Sequence, residues 1–498
     1  MGIANITDSV IQNICRLLEK NKPVKKSLPG NGRIHIDRRL PFICVYRKPL
    51  KYGDAGTQSL IHGTSSFIDG GSISDKELSK LLHSIAETLS DIFHSFLILE
   101  IWSEVETKIP SSNMLSSFRP NFRIFSNERE GSDIYSTFQI LEKGLSSVSL
   151  NKQSSQAELL FSKCINPPGL PPLAGLQDLK KMNCHLAGLE VRPVYRNVLT
   201  CKLYPQVLAS LSGQISYILN SAFFEFSKKL TTHDAKHFYA LGKNSFVKPV
   251  GTVDKKLAAL CDQFDFIIQV SPINEAEARF NFQQCKYKKI PVFFYKPLSF
   301  NPPEFKKLLW NIPIDEIEDP AIKNLFSGKR DEVDLQISMM VNIDSPGFHY
   351  GSLQLYGNVN KALSTLADKI LTIFPGKKHR GKSKKLDASQ FYDYAIKEFE
   401  YYNSLYPLFT PVAEINKDMY SGLIVSKGKL FIGKEFSVAE NKVEALIQHE
   451  IGTHLLTYFN GLAQPFRQLH TGLSGYEELQ EGLAVLSEYL TGGLNISR

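Results

Sequence analysis

The chain is 498 residues long, with 43% hydrophobic residues, 22% charged residues and a net charge of +8 at pH 7. This balance is typical of globular proteins, and the abundance of Phe (32) and Tyr (20) excludes a chain that is disordered throughout. No uncharged apolar stretch reaches about 18 residues, and the N-terminus lacks a basic start before an apolar block. We therefore expect neither a transmembrane helix nor a signal peptide.

Most of the excess positive charge lies in one segment, residues 377–385 (KKHRGKSKK), which contains six Lys and Arg residues. Because no aromatic residue interrupts these charges, the segment favours a solvated linker over a nucleic-acid or membrane contact. The seven Cys residues form no CxxC pair, which favours buried thiols over disulfides or a cysteine metal site. We expect a cytoplasmic protein with no nucleic-acid and no membrane partner; the oligomeric state is left open.

The first two-thirds of the chain alternates between helical and extended patterns. Helical periodicity covers residues 7–22, 75–93 and 205–230. Runs rich in β-branched and aromatic residues predict strands at 33–48 (a strand or a strand pair), 94–104, 121–126, 189–197, 264–273 and 290–298. The Pro-rich stretch INPPGLPPLAGL (165–176) indicates a subdomain boundary. The region is predicted to be mixed α/β.

From about residue 335 the pattern becomes mainly helical, with helices predicted over 359–374 and 388–406. Residues 422–433 (GLIVSKGKLFIG) predict a β-hairpin that turns at Lys427-Gly428. A long helix is expected to follow this hairpin.

Two capping-box signatures, Ser437-x-x-Glu440 and Ser474-x-x-Glu477, are predicted to open the last two long helices. The fold class is therefore predicted as α+β, an N-terminal mixed α/β region followed by a mainly helical domain with a hairpin before its long helix. The predicted parts are 1–30 (an N-terminal helix and lead-in), 31–165 and 166–335 (two parts of the α/β region) and 336–498 (the helical domain).

The long helix contains the motif HExxxH, formed by His449, Glu450 and His454. In the commoner zinc motif HExxH the histidines are four residues apart and share one helix face. A spacing of five places them about 140° apart around an ideal helix. A one-residue π-bulge would bring both imidazoles to one side, and Gly452 inside the motif makes such a distortion easier. The motif therefore predicts a metal site on a locally widened helix.

A catalytic zinc site needs a third protein ligand and an open position for water. The last helix offers Glu477, Glu478 and Glu481, and Glu481 follows His449 by 32 residues, enough for the chain to turn back. Gly482, directly after Glu481, is expected to let the two helices approach closely. Glu450 adjoins the first ligand and is predicted to act as general base toward a zinc-activated water.

Other polar residues lie near this motif or have a similar spacing. Arg467 and His470, in the loop between the two helices, are candidates for binding a substrate carboxylate or a developing oxyanion. His233 and His237 also have the spacing of a zinc pair, but Asp replaces Glu and no acid-rich helix follows closely. We interpret that pair as the start of a surface helix.

Four C-terminal segments together resemble a known family: HEIGTH (449–454), QPFRQL (464–469), GYEELQEGLA (475–484) and EYLTGGL (488–494). They are similar to the bacterial QEGLA-motif proteins, which are grouped with the microtubule-associated tyrosine carboxypeptidases of animals. The likeness to the bacterial branch includes N-terminal segments such as residues 28–49, whereas the likeness to the animal enzymes covers the last third.

The resemblance implies a zinc metallopeptidase that removes an aromatic residue, Tyr or Phe, from a peptide or protein C-terminus. Carried over to this sequence, it implies His449, His454 and Glu481 as zinc ligands and Glu450 as the catalytic base. Family members continue past the QEGLA helix, whereas this sequence ends at Arg498. Two alternatives therefore stay open, a non-catalytic binding or regulatory protein with a vestigial or structural metal site, and an amidase acting on a small peptide-like substrate.

Overall fold

The structure is a computed structural model that describes residues 6–49, 54–105, 119–150, 152–197, 200–244, 246–373, 384–417, 419 and 422–494. Most of the basic segment 377–385 lies outside the described residues. The chain divides into two units, unit 1 (Met1–Val247 with Ile317–Ile322) and unit 2 (Lys248–Glu316 with Lys323–Arg498). The fold class is α+β, as predicted.

Unit 1 is built on an eight-stranded mixed sheet with the strand order β1-β2-β4-β3-β5-β10-β6-β9. The four central strands β4, β3, β5 and β10 are parallel to one another, and β6 pairs antiparallel to β10. The strands of unit 1 are β1 Val24–Leu28, β2 Gly32–Ile36, β3 Phe42–Tyr46, β4 Ser66–Asp69, β5 Phe96–Ser103, β6 Asn121–Ser126, β7 Ser149–Leu150, β8 Gln153–Ser154, β9 Gln156–Phe161 and β10 Cys184–Val191.

Helices cover both faces of this sheet, because the central strands are apolar on both sides. In β3, Phe42 and Cys44 belong to the core on one face, and Ile43 and Val45 to the core on the other. The α-helices of unit 1 are α1 Asp8–Glu19, α2 Gln58–His62, α3 Asp75–Phe93, α4 Tyr135–Ser146, α5 Leu176–Lys181 and α6 Pro205–Leu230. Unit 1 is therefore a three-layer α/β unit.

Helix α6 is long and apolar enough to cross a membrane by length and composition alone, with a mean hydropathy of 1.2. In the structure it is a core helix of unit 1. Its residues Leu211, Leu219 and Phe223 are fully or almost fully buried, and the Phe223 ring stacks on Phe42 of the sheet at 4.0 Å between centroids. Packing against the sheet accounts for this apolar face.

Unit 2 is mainly helical, with a three-stranded sheet in the order β12-β14-β13 and a two-stranded pair of β11 with β15. Its strands are β11 Lys385–Asp387, β12 Val412–Asn416, β13 Leu423–Ser426, β14 Lys429–Gly433 and β15 Ser437–Ala439. The predicted hairpin is confirmed: β13 and β14 pair antiparallel, and Lys427 and Gly428 at the turn both have positive φ.

The helices of unit 2 include the long α11, whose first turn belongs to unit 1. They are α7 Lys248–Cys261, α8 Phe266–Val270, α9 Glu275–Gln284, α10 Pro302–Trp310, α11 Pro320–Val341, α12 Pro346–Tyr356, α13 Lys361–Ile373, α14 Ala388–Leu405, α15 Val443–His449, a π-helical segment Glu450–Leu455, α16 Leu456–Leu462, α17 Gln468–Thr471 and α18 Glu477–Leu490.

Two predicted strands are wrong. Residues 264–273 contain helix α8, because Asp265 caps it by accepting a hydrogen bond from the backbone N–H of Ile268 at 3.0 Å. Residues 290–298 form no strand. Their backbone groups bond instead to the Asn274 side chain, which donates to Val292 O and accepts from Phe294 N. The prediction from strand propensity fails here because the Asn274 side chain takes hydrogen bonds that a partner strand would otherwise make.

Two of the predicted part boundaries fall within continuous parts of the structure. The boundary at 165/166 falls between β9 and β10, which belong to one sheet. The boundary at 335/336 falls inside α11. The Pro-rich stretch 165–176 is therefore a connection within unit 1.

The contact between Gly188 and Trp102 inside the sheet of unit 1 gives a stability prediction. A Cβ at Gly188 would lie 2.2 Å from the Trp102 ring, and this ring is buried. We expect Gly188→Ala to destabilise unit 1 by about 1–3 kcal/mol, measured by urea unfolding, because overpacking forces the ring to move. In a Trp102→Leu background the same change should cost clearly less. An equal cost in both backgrounds would contradict this explanation.

Candidate metal centre

The HExxxH motif lies on one continuous helical rod made of α15, the π-helical segment and α16. The apolar face of the rod packs into the core of unit 2 through Ile447, Ile451, Leu455 and Phe459. These residues follow one another at intervals of four, so packing against the small sheet and α14 holds the rod in place. The polar face, which carries the motif, is thereby directed away from this core.

The π-helical segment begins at Glu450, directly after His449. A π-helix bonds residue i to i+5 and so inserts one extra residue in a turn. The rings of His449 and His454 consequently lie on one side, with 5.1 Å between their centroids and 63° between their planes. The widened helix predicted from the five-residue spacing is confirmed.

Glu481 of α18 faces both imidazoles. Its two carboxylate oxygens lie 3.8 Å from His449 Nε2 and 3.6 Å from His454 Nε2. One ligand atom from each of the three residues can be chosen so that all lie within 4.8 Å of one another. The Glu481 side chain is 61% exposed, so the group stays open to solvent on that side.

Glu488, a residue that the sequence reasoning missed, holds the other side of His449. Its Oε1 lies 2.9 Å from His449 Nδ1, and its side chain is only 4% exposed. A carboxylate can only accept, so Nδ1–H donates, which leaves Nε2 of a neutral ring with its lone pair toward Glu481. The spacing in the sequence could have indicated Glu488, since it follows Glu481 by seven residues, which is two turns along the same helix face.

The Glu450 carboxyl group lies beside the three converging side chains without being one of them. Its burial, with the neighbouring carboxylates of Glu481 and Glu488, raises the pKa of Glu450 to about 7. Burial lowers the pKa of His454, and His449 lowers it further, whereas Glu481 opposes the change. The His454 imidazole is therefore neutral near pH 7, the form in which histidine ligates metals.

The glycines of the two helices have roles that differ in part from those expected. A Cβ at Gly452 would lie 2.4 Å from Oε1 of Gln448, so this glycine leaves room for a side chain that donates to Glu398. A Cβ at Gly482 would meet no other described residue within 4 Å, and the prediction that this glycine brings the helices together is wrong. The close approach to α15 is made just after α18 ends, at Gly493, where a Cβ would lie 2.1 Å from Cβ of Ala445.

Both predicted capping boxes are wrong. Ser437 lies in strand β15, and α15 begins only after a short 3₁₀ turn at Glu440–Lys442. Helix α18 starts after Tyr476 and has no side-chain cap. Pairing of Ser437 with β11 takes precedence over the local cap, so the helix start moves down the chain.

A cavity of about 210 Å³ opens beside His454 within unit 2. Its wall combines aromatic rings with many polar groups. The wall residues include Asp262, Phe264, Asp265, Lys329, Tyr356, Val425, Ser426, Lys427, Tyr458, His470, Tyr476 and Glu477. Burial also raises the pKa of Tyr476 to about 12, so its phenol stays protonated and available as a donor. The cavity thus offers aromatic surface and convergent polar groups to the same ligand.

The two residues predicted to bind substrate are placed differently. His470 belongs to the cavity wall, where its ring packs edge-on against Tyr458 and its Nε2 lies 3.9 Å from Asp262 Oδ1. Arg467 is exposed and is not part of the wall. Its backbone N–H donates to buried Asp254 of α7, which anchors the loop. Histidines 233 and 237 lie after α6 and outside any α-helix, so the predicted surface helix is absent there.

Comparison with known protein families gives one match. Residues 280–498 match the family model of the microtubule-associated tyrosine carboxypeptidase. The resemblance inferred from the C-terminal motifs is thereby confirmed over these residues, and it supports a carboxypeptidase-like hydrolase. The likeness of the N-terminal segments to the bacterial branch stays a prediction. Searches of curated proteins and of solved structures found no match.

The approach to α15 of the chain that leaves α18 gives a pair of substitutions. We expect Gly493→Ala to destabilise unit 2 by about 1–3 kcal/mol, because the new methyl would overlap Ala445. Gly482→Ala faces open space within a helix and should stabilise by about 0.5–1 kcal/mol. Urea unfolding measures both changes. Equal effects of the two substitutions would show that the contact of Gly493 with Ala445 is not tightly packed.

Proposed function

We propose that the protein is a zinc-dependent carboxypeptidase that removes a C-terminal aromatic residue, Tyr or Phe, from a peptide or protein. The observation that carries the proposal is the convergence of His449, His454 and Glu481 beside Glu450 on a π-helical turn. The family match over residues 280–498 supports the same class of reaction.

The donor set fits zinc. Two imidazole nitrogens and one carboxylate oxygen form a known ligand set of catalytic zinc sites, whereas calcium and magnesium prefer oxygen ligands throughout. The bond from His449 Nδ1 to Glu488 is the kind of outer contact that orients a ligating imidazole. When bound, zinc would supply a Lewis acid for the scissile carbonyl and make a water molecule acidic, with a pKa of about 7.

Glu450 would perform the proton transfers. It adjoins His449 in the sequence, yet it is not among the three converging groups, so its carboxylate is left for a water molecule. As general base it would take a proton from the attacking water, and as general acid it would give a proton to the leaving amine nitrogen. Two such roles need one carboxyl group that changes protonation state near neutral pH, which its buried position favours.

The hairpin offers a place for the substrate backbone. Strand β13 is at the edge of its three-stranded sheet, and its residues Val425 and Ser426 belong to the cavity wall beside His454. A peptide that pairs with this edge as an added strand would have its C-terminal residue directed into the cavity. Aromatic wall residues such as Phe264, Tyr356 and Tyr458 suit an aromatic side chain there.

The exposure of Glu481 favours this proposal over a structural metal site. Structural zinc sites are closed by four protein ligands, whereas the three converging groups here leave Glu481 61% exposed. An amidase acting on a small molecule would need the same metal and base. It is distinguished by its substrates, since it would not require a peptide chain before the aromatic residue.

The substitution Glu450→Gln tests the proposed mechanism. It keeps the shape of the side chain but removes the base, so zinc content should stay at one ion per chain while turnover falls by about 10²–10⁴-fold. Zinc is measured by elemental analysis, and turnover as release of Tyr or Phe from peptides that end in these residues.

The matched control is Glu478→Gln, because Glu478 is an exposed acid on α18 outside the converging group. It should retain full turnover. Unchanged turnover in Glu450→Gln would remove Glu450 from the mechanism. A wild-type protein that takes up no zinc would refute the proposed function as a whole.

Glu488 gives an independent test as a positioning residue. We expect Glu488→Gln to weaken zinc binding by about 10–100-fold, because the outer carboxylate orients His449 and raises its basicity. Zinc affinity is measured by competition with a chelator, again with Glu478→Gln as control. The same zinc affinity in both variants would show that the contact to His449 has no role in metal binding.

A further inference from the structure

The cavity wall contains a buried cation, Lys329, which takes no part in the proposed zinc chemistry. Lys329 of α11 is only 5% exposed, which is unusual for a lysine, and it belongs to the wall of the cavity that also contains His454. Its Nζ donates to Glu332 Oε1, one helical turn further on, at 2.6 Å. A buried lysine is expensive to keep unless its charge is used or well paired.

Glu332 is itself held in place. Its second oxygen, Oε2, accepts a hydrogen bond from the backbone N–H of Gly475, in the loop before α18. The Lys329–Glu332 ion pair is therefore hydrogen-bonded to the loop that leads into α18, the helix that carries Glu481. An ammonium group has three N–H donors, and Glu332 takes one of them. Lys329 can keep this bond and still donate to a ligand in the cavity.

The other cations near the cavity are less suited to a buried carboxylate. Lys427 is exposed at the hairpin turn and donates to the backbone oxygen of Asp262 at 2.8 Å. Burial lowers the pKa of His470, so its ring is neutral near pH 7. Arg467 lies outside the wall. Lys329 combines burial, positive charge and a place in the wall.

The polar groups of the wall also include three carboxylic acids. Asp262, Asp265 and Glu477 line the cavity, and burial raises the pKa of Glu477, with the Glu332 carboxylate adding to the rise. A second carboxylate on the ligand would meet these acids, whereas a neutral aromatic side chain would meet Tyr356 and the other rings. The cavity thus suits a ligand with one carboxylate and one aromatic group.

We infer that Lys329 binds the terminal carboxylate of the substrate, with Glu332 as the positioning residue that holds its ammonium group. The inference rests on the proposed function, and it names the group that makes the enzyme an exopeptidase. A charge-assisted bond of this kind requires the free acid, since an amide at the same position offers no negative charge. The preference of the enzyme for a free C-terminal carboxylate over an amide therefore measures the contribution of Lys329.

The experiment compares two peptides that both end in Phe, one with a free carboxylate and one amidated, as substrates of the zinc-loaded full-length chain. The wild type should prefer the free acid in kcat/KM. In Lys329→Met this preference should fall by about 10–100-fold, mainly through KM, since a bond to a charged group is lost. Lys329→Arg keeps the charge and should retain part of the preference.

Lys306→Met is the matched control, because Lys306 also forms an ion pair in unit 2, with Asp334 at 3.0 Å, but lies outside the cavity wall. It should leave the preference unchanged. The inference is overturned if Lys329→Met keeps the full preference, or if Lys427→Met loses it while Lys329→Met does not.

A binding measurement separates this inference from the proposed function. N-acetyl-tyrosine and its amide are titrated calorimetrically into the metal-free chain, where zinc cannot bind the carboxylate. Tighter binding of the acid by about 10-fold or more, lost in Lys329→Met, supports the inference even if the wild type hydrolyses neither peptide. Equal affinity of the wild type for acid and amide overturns it, also in the case that Lys329→Met does not fold.

Discussion

The extra residue in the helical turn from Glu450 to Leu455 is the constraint on which the candidate centre depends. In a regular α-helix the imidazoles of His449 and His454 would point about 140° apart. The wider turn has poorer backbone geometry, so other interactions must stabilise it. Burial of Ile447, Ile451 and Leu455 against the small sheet and α14 supplies that stabilisation.

Crowding of acids around the two imidazoles is the second feature that shapes the centre. Glu450, Glu481 and Glu488 all lie close enough for their charges to interact, and the pKa of Glu450 rises to about 7 through burial and its two neighbours. Carboxylates at this density repel one another unless a cation or a proton compensates. A divalent ion between His449, His454 and Glu481 would provide that compensation, which is why the arrangement suits a metal site better than a simple surface cluster.

The cavity and the centre share their supporting elements. Helix α18 carries Glu481 and Glu488, and the loop before it bonds to Glu332, the partner of Lys329. The proposed carboxylate site and the proposed metal site are thus connected through one helix and its leading loop. A substrate whose terminal carboxylate is held at Lys329 would have its last peptide bond positioned by the same elements that hold the metal ligands.

The sequence determined the local features of this protein. The β-branched and aromatic run at 33–48 specifies extended structure, found as the pair β2 and β3. The Lys427-Gly428 pair specifies the hairpin, and the spacing of His449 and His454 with Gly452 between them specifies a widened helix. These predictions succeeded because each depends on interactions between residues close in the chain. The expected proximity of Glu481 to the two histidines is also found, because a helix–loop–helix returns a nearby segment to the same place.

Tertiary structure alone decided the rest. The two failed strands, 264–273 and 290–298, have strand composition but are bonded by Asp265 and Asn274 instead of partner strands. The close approach to α15 was expected at Gly482 and lies at Gly493, after the end of α18. Lys329 reaches the cavity from a helix more than 100 residues before the motif. Such contacts join segments that are far apart in the chain, so no local pattern of residue types encodes them; packing of the folded unit selects them.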